Sequence, residues 1–247
     1  WQSISLEDKG KDSFTFNLGQ FPEGSVIKYY FTLTDQQGNV AGHFPNGSDG
    51  KDGNLPYHTM IGYHHIQGYD FETLNHDWQV IKNAVKGNWQ IGEPKVSYIN
   101  GEDKAGHQIQ TGTDHTPTGP VGYCAFTGNA KAIFSYPDKA DVDTGVTKLI
   151  SPTLNLRDYY QNPVVSYYRW FSNEFGEVPG NDPFGVFISN DNGQSWDTLV
   201  WTYHPDRSWR KNVIKLKDHI ELSRHMKLMF QVSDRVVDTF AGGQSIV

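Results

Sequence analysis

The sequence predicts an all-β protein, folded as a β-sandwich or jelly roll. Short segments of alternating apolar and polar residues recur along the chain, and turn-forming Gly, Pro, Asn and Asp residues separate them. Aromatic residues make up 14% of the 247 residues, a content that suits sheets and fills sandwich cores. Helical periodicity never persists beyond a couple of turns, which argues against a fold with crossover helices.

The first 45 residues contain two alternating runs, Ser13–Leu18 and Val26–Thr34, which predict half-buried strands. The polar stretch Asp35–Asn39 predicts a turn after them. A series of positions here resembles the C-terminal half of an immunoglobulin-like or fibronectin type III-like domain: Gly24, Val26, Tyr29, Tyr30, Asp35 and Gly38. The resemblance implies that residues 1–45 are the C-terminal part of such a β-sandwich, whose earlier strands precede Trp1 or are absent.

A linker is predicted after this partial domain. Pro45–Asn54 has no periodicity and is rich in Gly, Asp and Asn, a composition typical of a flexible connection. We therefore place the domain boundary there. The linker is assigned to residues 46–68, and a second domain to residues 69–247.

The second domain is a long series of short predicted strands separated by turns. Their regular spacing favours a sandwich or jelly roll, with one short helix predicted at Asp218–His225. The predicted strands are Val121–Thr127, Thr147–Ile150, Val164–Phe171, Phe184–Ser189, Asp197–Thr202, Trp209–Lys215 and Lys227–Val232.

One predicted hairpin carries a distinct motif, S-N-D-N-G-Q-S-W at Ser189–Trp196. Asp, Asn and Gly tolerate the sharp bend, and the Asp side chain can accept hydrogen bonds from N–H groups of its own turn. The pattern resembles an Asp box, a hairpin of sialidase propellers that also occurs in unrelated sandwiches. It implies that Asp191, Gly193 and Trp196 have structural roles in the turn, with Trp196 on the buried face.

An ordered series of short motifs runs through the second domain: Asp70–Glu72, Asp77–Trp78, Gly87–Pro94, Cys124–Gly128, Ala140–Gly145, Leu149–Pro152, Ser166–Trp170, the Asp box and Gly243–Val247. Together they resemble the MAM-like jelly rolls (galactose-binding-like sandwiches) of secreted bacterial peptidases. Such modules accompany immune-inhibitor-A-like metallopeptidases and zinc carboxypeptidases, and occur as cleaved adhesin domains in gingipain-type proteases. The resemblance implies a non-catalytic accessory region, with its C-terminal strand truncated at Val247.

Calcium is the predicted ligand of three acidic residues. Asp141 and Asp143 are two residues apart, so in an extended segment both carboxylates project to one side, and Ca²⁺ prefers several such oxygen ligands. The jelly-roll resemblance adds Glu72, at a position where related domains supply a ligand. In the alternative interpretation, Asp141 and Asp143 flank a turn before Gly145 and Glu72 is solvated.

Histidine and cysteine do not predict a zinc or catalytic site. The ten histidines include His58, His64, His65 and His76, but no H-E-x-x-H motif occurs, and packing or surface roles are expected for them. No G-x-S-x-G elbow is present. The single cysteine, Cys124, lies in an apolar run, where a buried thiol of low reactivity is expected.

Aromatic residues offer a second kind of binding site. Within Tyr167–Phe171, one set of side chains faces the core and the other set faces outward, where rings can stack on sugars or contact a protein. Trp201, Tyr203 and Trp209 surround the predicted turn at 204–207 and are the candidate ligand-binding residues.

The formal net charge of −7, without a long basic run, argues against nucleic acid as a partner. No apolar stretch reaches membrane-spanning length. The motif resemblance, together with the lack of a catalytic constellation in the sequence, implies a secreted or cell-surface, non-catalytic region of a multidomain bacterial hydrolase, in which a peptidase is the favoured parent. It would serve adhesion or domain spacing by binding an extracellular protein or glycan. The alternative is a carbohydrate-binding module that uses exposed aromatic side chains.

Overall fold

The computed structural model describes residues 1–45, 56–72, 76–99, 108–116, 122–130, 140–158, 161–175 and 178–234. These residues form the predicted all-β fold, in which the paired strands are antiparallel. The strands are β1 (Glu7–Gly10), β2 (Ser13–Thr15), β3 (Ser25–Tyr29), β4 (Phe31–Thr34), β5 (Val40–Phe44), β6 (Tyr57–Ile61), β7 (Gln79–Lys82), β8 (Gln90–Gly92), β9 (Ser97–Tyr98), β10 (Gln108–Gln110), β11 (Cys124–Phe126), β12 (Gly145–Ile150), β13 (Val164–Phe171), β14 (Phe184–Ser189), β15 (Asp197–Thr202), β16 (Asp206–Lys215) and β17 (Lys227–Asp234).

A five-stranded sheet in the order β15-β14-β17-β12-β7 forms one layer of a β-sandwich. The β13–β16 pair packs across it, and the core lies between them. Phe184, Val186 and Ile188 alternate along β14 onto the buried face, as the period of two requires. From the other layer, Phe171 of β13 and Ile214 of β16 pack into the same core.

The N-terminal strands form three two-stranded sheets, β1–β2, β3–β6 and β4–β5. The carboxylate of Asp35 shapes the predicted turn between β4 and β5, because it accepts hydrogen bonds from the N–H groups of Gln37 and Asn39 at 2.9 and 2.8 Å. Part of the predicted linker 46–68 is not a linker, since β6 lies within it and pairs along its whole length with β3. Residues 46–55 lie outside the described residues, and the division into two domains stays a prediction.

Each strand predicted in the second domain is observed, but β11 is limited to Cys124–Phe126 within the predicted Val121–Thr127, and Val121 lies outside the described residues. β13 and β15 begin and end at the predicted residues, whereas β16 begins three residues earlier, at Asp206. The predicted helix at Asp218–His225 is wrong, because a 3₁₀ turn forms at Leu216–Asp218 and the chain then bends. Buried Leu216 anchors that turn. Farther on, the Ser223 hydroxyl donates a hydrogen bond to the Asn190 carbonyl at 2.6 Å, which holds the segment on the Asp-box turn.

Within the described part of the chain, no helix has the length and hydropathy needed to cross a membrane. The few helical residues there form short turns between strands.

Candidate functional site

The Asp box forms the tight turn between β14 and β15, and the Asp191 carboxylate organises it. Its Oδ1 accepts hydrogen bonds from the N–H groups of Gln194 and Ser195 at 3.0 and 2.9 Å, and its Oδ2 accepts one from the Ser195 hydroxyl at 2.6 Å. These bonds, led by that of the Ser195 hydroxyl, hold the pKa of Asp191 well below its usual range. The carboxylate is therefore occupied by its own turn.

Gly193 and Trp196 complete the turn. Gly193 has a φ of 92°, a left-handed conformation that glycine adopts without strain. The indole of half-buried Trp196 lies against it, since a Cβ added at Gly193 would come within 3.3 Å of the ring. The indole thus covers the turn instead of entering the sandwich core.

The three acidic residues predicted to bind calcium have other partners. Asp143 Oδ2 forms an ion pair with Lys86 Nζ at 3.0 Å, and Glu72 Oε1 accepts a hydrogen bond from the Tyr123 N–H at 3.2 Å. Asp141 lies two residues before Asp143, in the segment that leads to β12. Among the described residues, no three His, Cys, Asp or Glu side chains are grouped as metal ligands. The calcium site stays a prediction.

The predicted aromatic ligand-binding residues fall into two separate groups. Trp201 lies on β15, where its ring packs edge-on against Phe187 and its Nε1 donates a 3.4 Å hydrogen bond to the Tyr203 hydroxyl. Trp209 lies on β16, in the other layer, and its Nε1 donates to the Thr113 carbonyl at 3.1 Å. Trp201 and Tyr203 therefore contact each other, while Trp209 belongs to a different surface.

Trp209 is part of an aromatic cluster on the outward face of β13–β16, defined here as Tyr168, Trp170, Trp209 and His115. The His115 ring stacks on Tyr168 with centroids 3.3 Å apart and planes 14° apart. Trp209 meets the rings of His115 and Trp170 edge-on, each at 6.3 Å. Tyr168 is exposed, and Lys211 lies beside it because the two residues are opposite each other in the β13–β16 register. The cluster thus presents a ring surface with polar groups at its margin.

A cleft of about 1000 Å³ runs along β13. Every residue from 161 to 170 lines it, so both faces of the strand border the same space. Because alternate side chains of a strand point to opposite faces, a space that touches all of them lies along the strand's edge. The other wall includes every residue of 62–71, an irregular segment after β6. We call this space the β13 cleft; the aromatic cluster forms its outer rim.

The inner wall of the β13 cleft combines apolar side chains with buried hydrogen-bond donors. Leu149, Phe184, Leu228 and Phe230 are among the apolar residues. Within the described part of the chain, several buried donors of this wall have no hydrogen-bond partner: the Tyr167 hydroxyl, Nε and Nη1 of Arg169, and Nε1 of Trp78 and Trp89. A polar group buried without a partner is costly, so these donors are the groups of the wall that an acceptor on a ligand would stabilise.

Arg169 belongs to a buried ionic triad. Its Nη2 pairs with Asp206, which also pairs with Arg210, and the side chains of all three are at most 7% exposed. The Arg169 guanidinium also lies 4.9 Å from the centre of the Phe184 ring and 5.3 Å from that of Phe171. Cation–π contacts and the ion pair therefore fix Arg169 on the inner wall of the cleft.

Cys124 also lines the β13 cleft, and its surroundings keep the thiol protonated. Burial, followed by the negative charges of Asp114 and Glu72, raises its pKa to about 12. The thiolate is the nucleophilic form, so this environment disfavours nucleophilic catalysis by Cys124.

The sequence pointed to only part of this site. The alternation in Tyr167–Phe171 predicted one inward and one outward set of side chains, and the structure places Tyr167, Arg169 and Phe171 inward. His115 was missed, because nothing in its local pattern places it on Tyr168. The donors Trp78 and Trp89 were noted only as parts of motifs.

Comparison with models of known protein families finds no match to this chain, and no curated protein matches it significantly.

Proposed function

We propose that this chain is a non-catalytic binding module that holds its ligand in the β13 cleft. The observation that carries the proposal is the cleft itself: it is about 1000 Å³ in volume, its inner wall is largely apolar, and several buried donors of that wall have no partner among the described residues. Concave, mostly apolar sites with a few convergent polar groups are typical of ligand binding.

The chemistry of the titratable groups beside the cleft supports binding over catalysis. The thiol of Cys124 stays protonated, since its pKa is about 12. Burial lowers the pKa of His115 and raises that of the Tyr167 hydroxyl, so burial favours the uncharged form of both groups. Arg169 is held in its ion pair.

The wider setting of the proposal rests on the motif resemblance described above. We place the chain in a secreted or cell-surface bacterial hydrolase, with a peptidase as the favoured parent, where it serves adhesion or spacing. Its partner would be an extracellular protein or a glycan. The proposal keeps a structural calcium ion near Asp141 and Asp143.

The test combines turnover and binding. The purified chain is incubated with panels of peptide and glycoside substrates, for which we expect no hydrolysis, and is then applied to arrays of glycans and of extracellular matrix proteins. We expect saturable binding that Ser166→Trp abolishes, because Ser166 is exposed on β13 and lines the cleft. Ser208→Trp is the matched control, since Ser208 is exposed on β16 and is not among the lining residues. Robust hydrolysis, or binding unaffected by Ser166→Trp, would contradict the proposal.

Carbohydrate binding is the second candidate, and the aromatic cluster favours it. Exposed Tyr168, stacked on His115 and close to Trp209, offers the flat apolar surface on which a sugar ring packs. We expect Tyr168→Ala to weaken glycan binding about tenfold or more. Trp201→Ala tests the other predicted aromatic group, because Trp201 lies on the other sheet, and a loss in that variant alone would place the glycan there. Equal loss in both variants would assign the glycan to neither surface.

A further inference from the structure

The open edge of β13 is the feature that indicates what the cleft binds. β13 has eight residues and, within the described chain, pairs with β16 alone. An unpaired strand edge presents a row of backbone N–H and C=O groups that are complementary to another strand. The β13 cleft runs along this edge, so its backbone groups face the cleft.

We propose, on the basis of the binding function above, that the β13 cleft takes an extended peptide segment of a partner protein. The peptide adds to the edge of β13 as a further strand and directs an acidic side chain toward Arg169. Main-chain hydrogen bonds supply affinity in this mode of recognition, and pockets for alternate side chains supply specificity.

The buried donors define the chemistry of the segment. Tyr167 and Arg169 are two residues apart on β13, and thus on the same face, and both carry hydrogen-bonding groups without partners. The indoles of Trp78 and Trp89 add two more donors to the inner wall. The groups on this wall therefore require acceptors, which peptide carbonyls and a carboxylate provide.

Charge complementarity places the acidic residue at Arg169. The carboxylate of Asp206 pairs with both Arg169 and Arg210, and the side chains of all three are less than a tenth exposed. Asp206 and the His204 carbonyl both accept from Nη2 of Arg169, and Nε and Nη1 have no partner among the described residues, so a second carboxylate would bind there. Both atoms are buried, so the incoming carboxylate displaces the side chains that cover them. Hydrogen bonds between a guanidinium and a carboxylate are stronger than those between neutral groups.

The dimensions of the cleft suit an extended strand. Eight residues of strand span roughly 26 Å, at about 3.3 Å per residue. Inward side chains of the incoming strand would meet Leu149, Phe184 and Phe230, and outward ones would meet the aromatic cluster. A fatty acid would also bring a carboxylate and an apolar tail, but it would leave the edge of β13 unpaired. A peptide accounts for the buried donors through its acidic side chain and for the edge of β13 through its backbone.

The test is a selection followed by chemical dissection of the selected peptide. An mRNA-displayed library of random ten-residue peptides is selected on the intact chain. We expect the enriched peptides to alternate apolar and polar residues, with one Asp or Glu in the apolar register. Changing that acid to its amide weakens binding about tenfold, and N-methylation of alternate backbone amides weakens it about tenfold or more. Both changes leave the protein itself untouched, so its folding cannot confuse the result.

Two measurements determine where the peptide binds. Hydrogen exchange of β13 amides that point to the cleft slows when the peptide binds, and Ser166→Trp abolishes binding whereas Ser208→Trp does not. The inference is overturned if no peptide is enriched, if enriched peptides tolerate N-methylation, or if palmitate binds the cleft and no peptide does. If a glycan or palmitate binds and Ser166→Trp abolishes that binding, the peptide proposal is wrong but the proposed binding function of the cleft is supported. Cleavage of the peptide would refute the non-catalytic function.

Discussion

The Asp191 carboxylate of the Asp box is fully hydrogen-bonded, whereas several polar side chains on the inner wall of the β13 cleft are not. In the Asp box, the Asp191 carboxylate satisfies the N–H groups of its own turn, and its bonds are complete. On the inner wall of the β13 cleft, Tyr167 and Arg169 have hydrogen-bonding groups that lack partners within the described chain. Satisfied groups stabilise the turn, and the unsatisfied ones are the groups on which the proposed binding site rests.

The first prediction concerns Asp191. We expect Asp191→Asn to lower the Tm by a few degrees at pH 7, because the amide offers one acceptor oxygen where the carboxylate has two. The pKa of Asp191 is lower in the folded state than in the unfolded chain, where it is about 3.9. The ionised carboxylate therefore contributes fully to folding stability above about pH 3.9, and this contribution is lost as the pH falls from there toward the folded-state pKa. The difference in Tm between the two proteins should therefore shrink from pH 5 to pH 3.

Melting curves followed by circular dichroism at pH 7, 5 and 3 provide the measurement. Asp197→Asn is the control, since Asp197 is an exposed residue at the start of β15. If Asp191→Asn and the wild type have the same Tm at pH 7, the stability of the turn does not depend on the carboxylate.

At the scale of elements, alternation predicted the strands well but not their partners. Val164–Phe171 and Asp197–Thr202 were predicted to the residue, because each alternates between turn-forming sequences. Nothing in the local pattern indicated that β13 would have an unpaired edge among the described residues, since strand order depends on contacts between distant segments. For the same reason, the stacking of His115 on Tyr168 across more than fifty residues was not predictable.

The second prediction concerns the close approach of two connections. Gly87 has a φ of 64°, and a Cβ there would lie 2.1 Å from the Asp141 carbonyl oxygen. Gly180 has a similar φ of 79°, but a Cβ there would meet nothing within 4 Å. Gly180→Ala should therefore cost only the conformational penalty of about 1–2 kcal/mol, while Gly87→Ala should cost a further ~1–3 kcal/mol from the clash. Urea denaturation measures both, and equal costs would show that the backbone moves apart easily.

The third prediction concerns calcium at the start of β12. Asp234 Oδ2 accepts a hydrogen bond from the Thr144 N–H at 2.8 Å, and Asp143 Oδ1 accepts one from the Thr144 hydroxyl at 3.1 Å, so two carboxylates lie beside Thr144 at this strand end. We expect millimolar Ca²⁺ to raise the Tm by a few degrees and a chelator to reverse the rise, because an ion bound only to the folded state stabilises it. Asp143→Asn should reduce the shift, and Mg²⁺ should reproduce it poorly. A Tm indifferent to both Ca²⁺ and chelator would remove calcium from the proposal.

At the scale of the whole molecule, β6 joins the N-terminal sheets to the sandwich. It pairs with β3 along its length and also packs against β16, where the Arg210 guanidinium lies 5.7 Å from the centre of the Tyr57 ring. The sequence suggested a linker here because the breaker-rich residues before β6 dominate the composition of the segment. Tyr57–Ile61 is too short a run to have outweighed that signal.

The last prediction tests this junction through His58, which β6 buries against β16. Burial, with a smaller effect of the Lys28 charge, lowers the pKa of His58 from 6.5 to about 4. Between these values the unfolded chain binds a proton that the folded chain does not. The contribution of His58 to stability is therefore intact above pH 6.5 and falls as the pH drops toward 4, by roughly 3 kcal/mol.

Urea denaturation from pH 7.5 to pH 4 measures this loss. His58→Gln should flatten the profile over that range, because glutamine takes up no proton, whereas exposed His225→Gln should leave it as in the wild type. The loss ought to be seen equally by probes in the N-terminal sheets and in the sandwich, since β6 contacts both. Separate transitions for the two parts would mean that β6 joins them without making them unfold together.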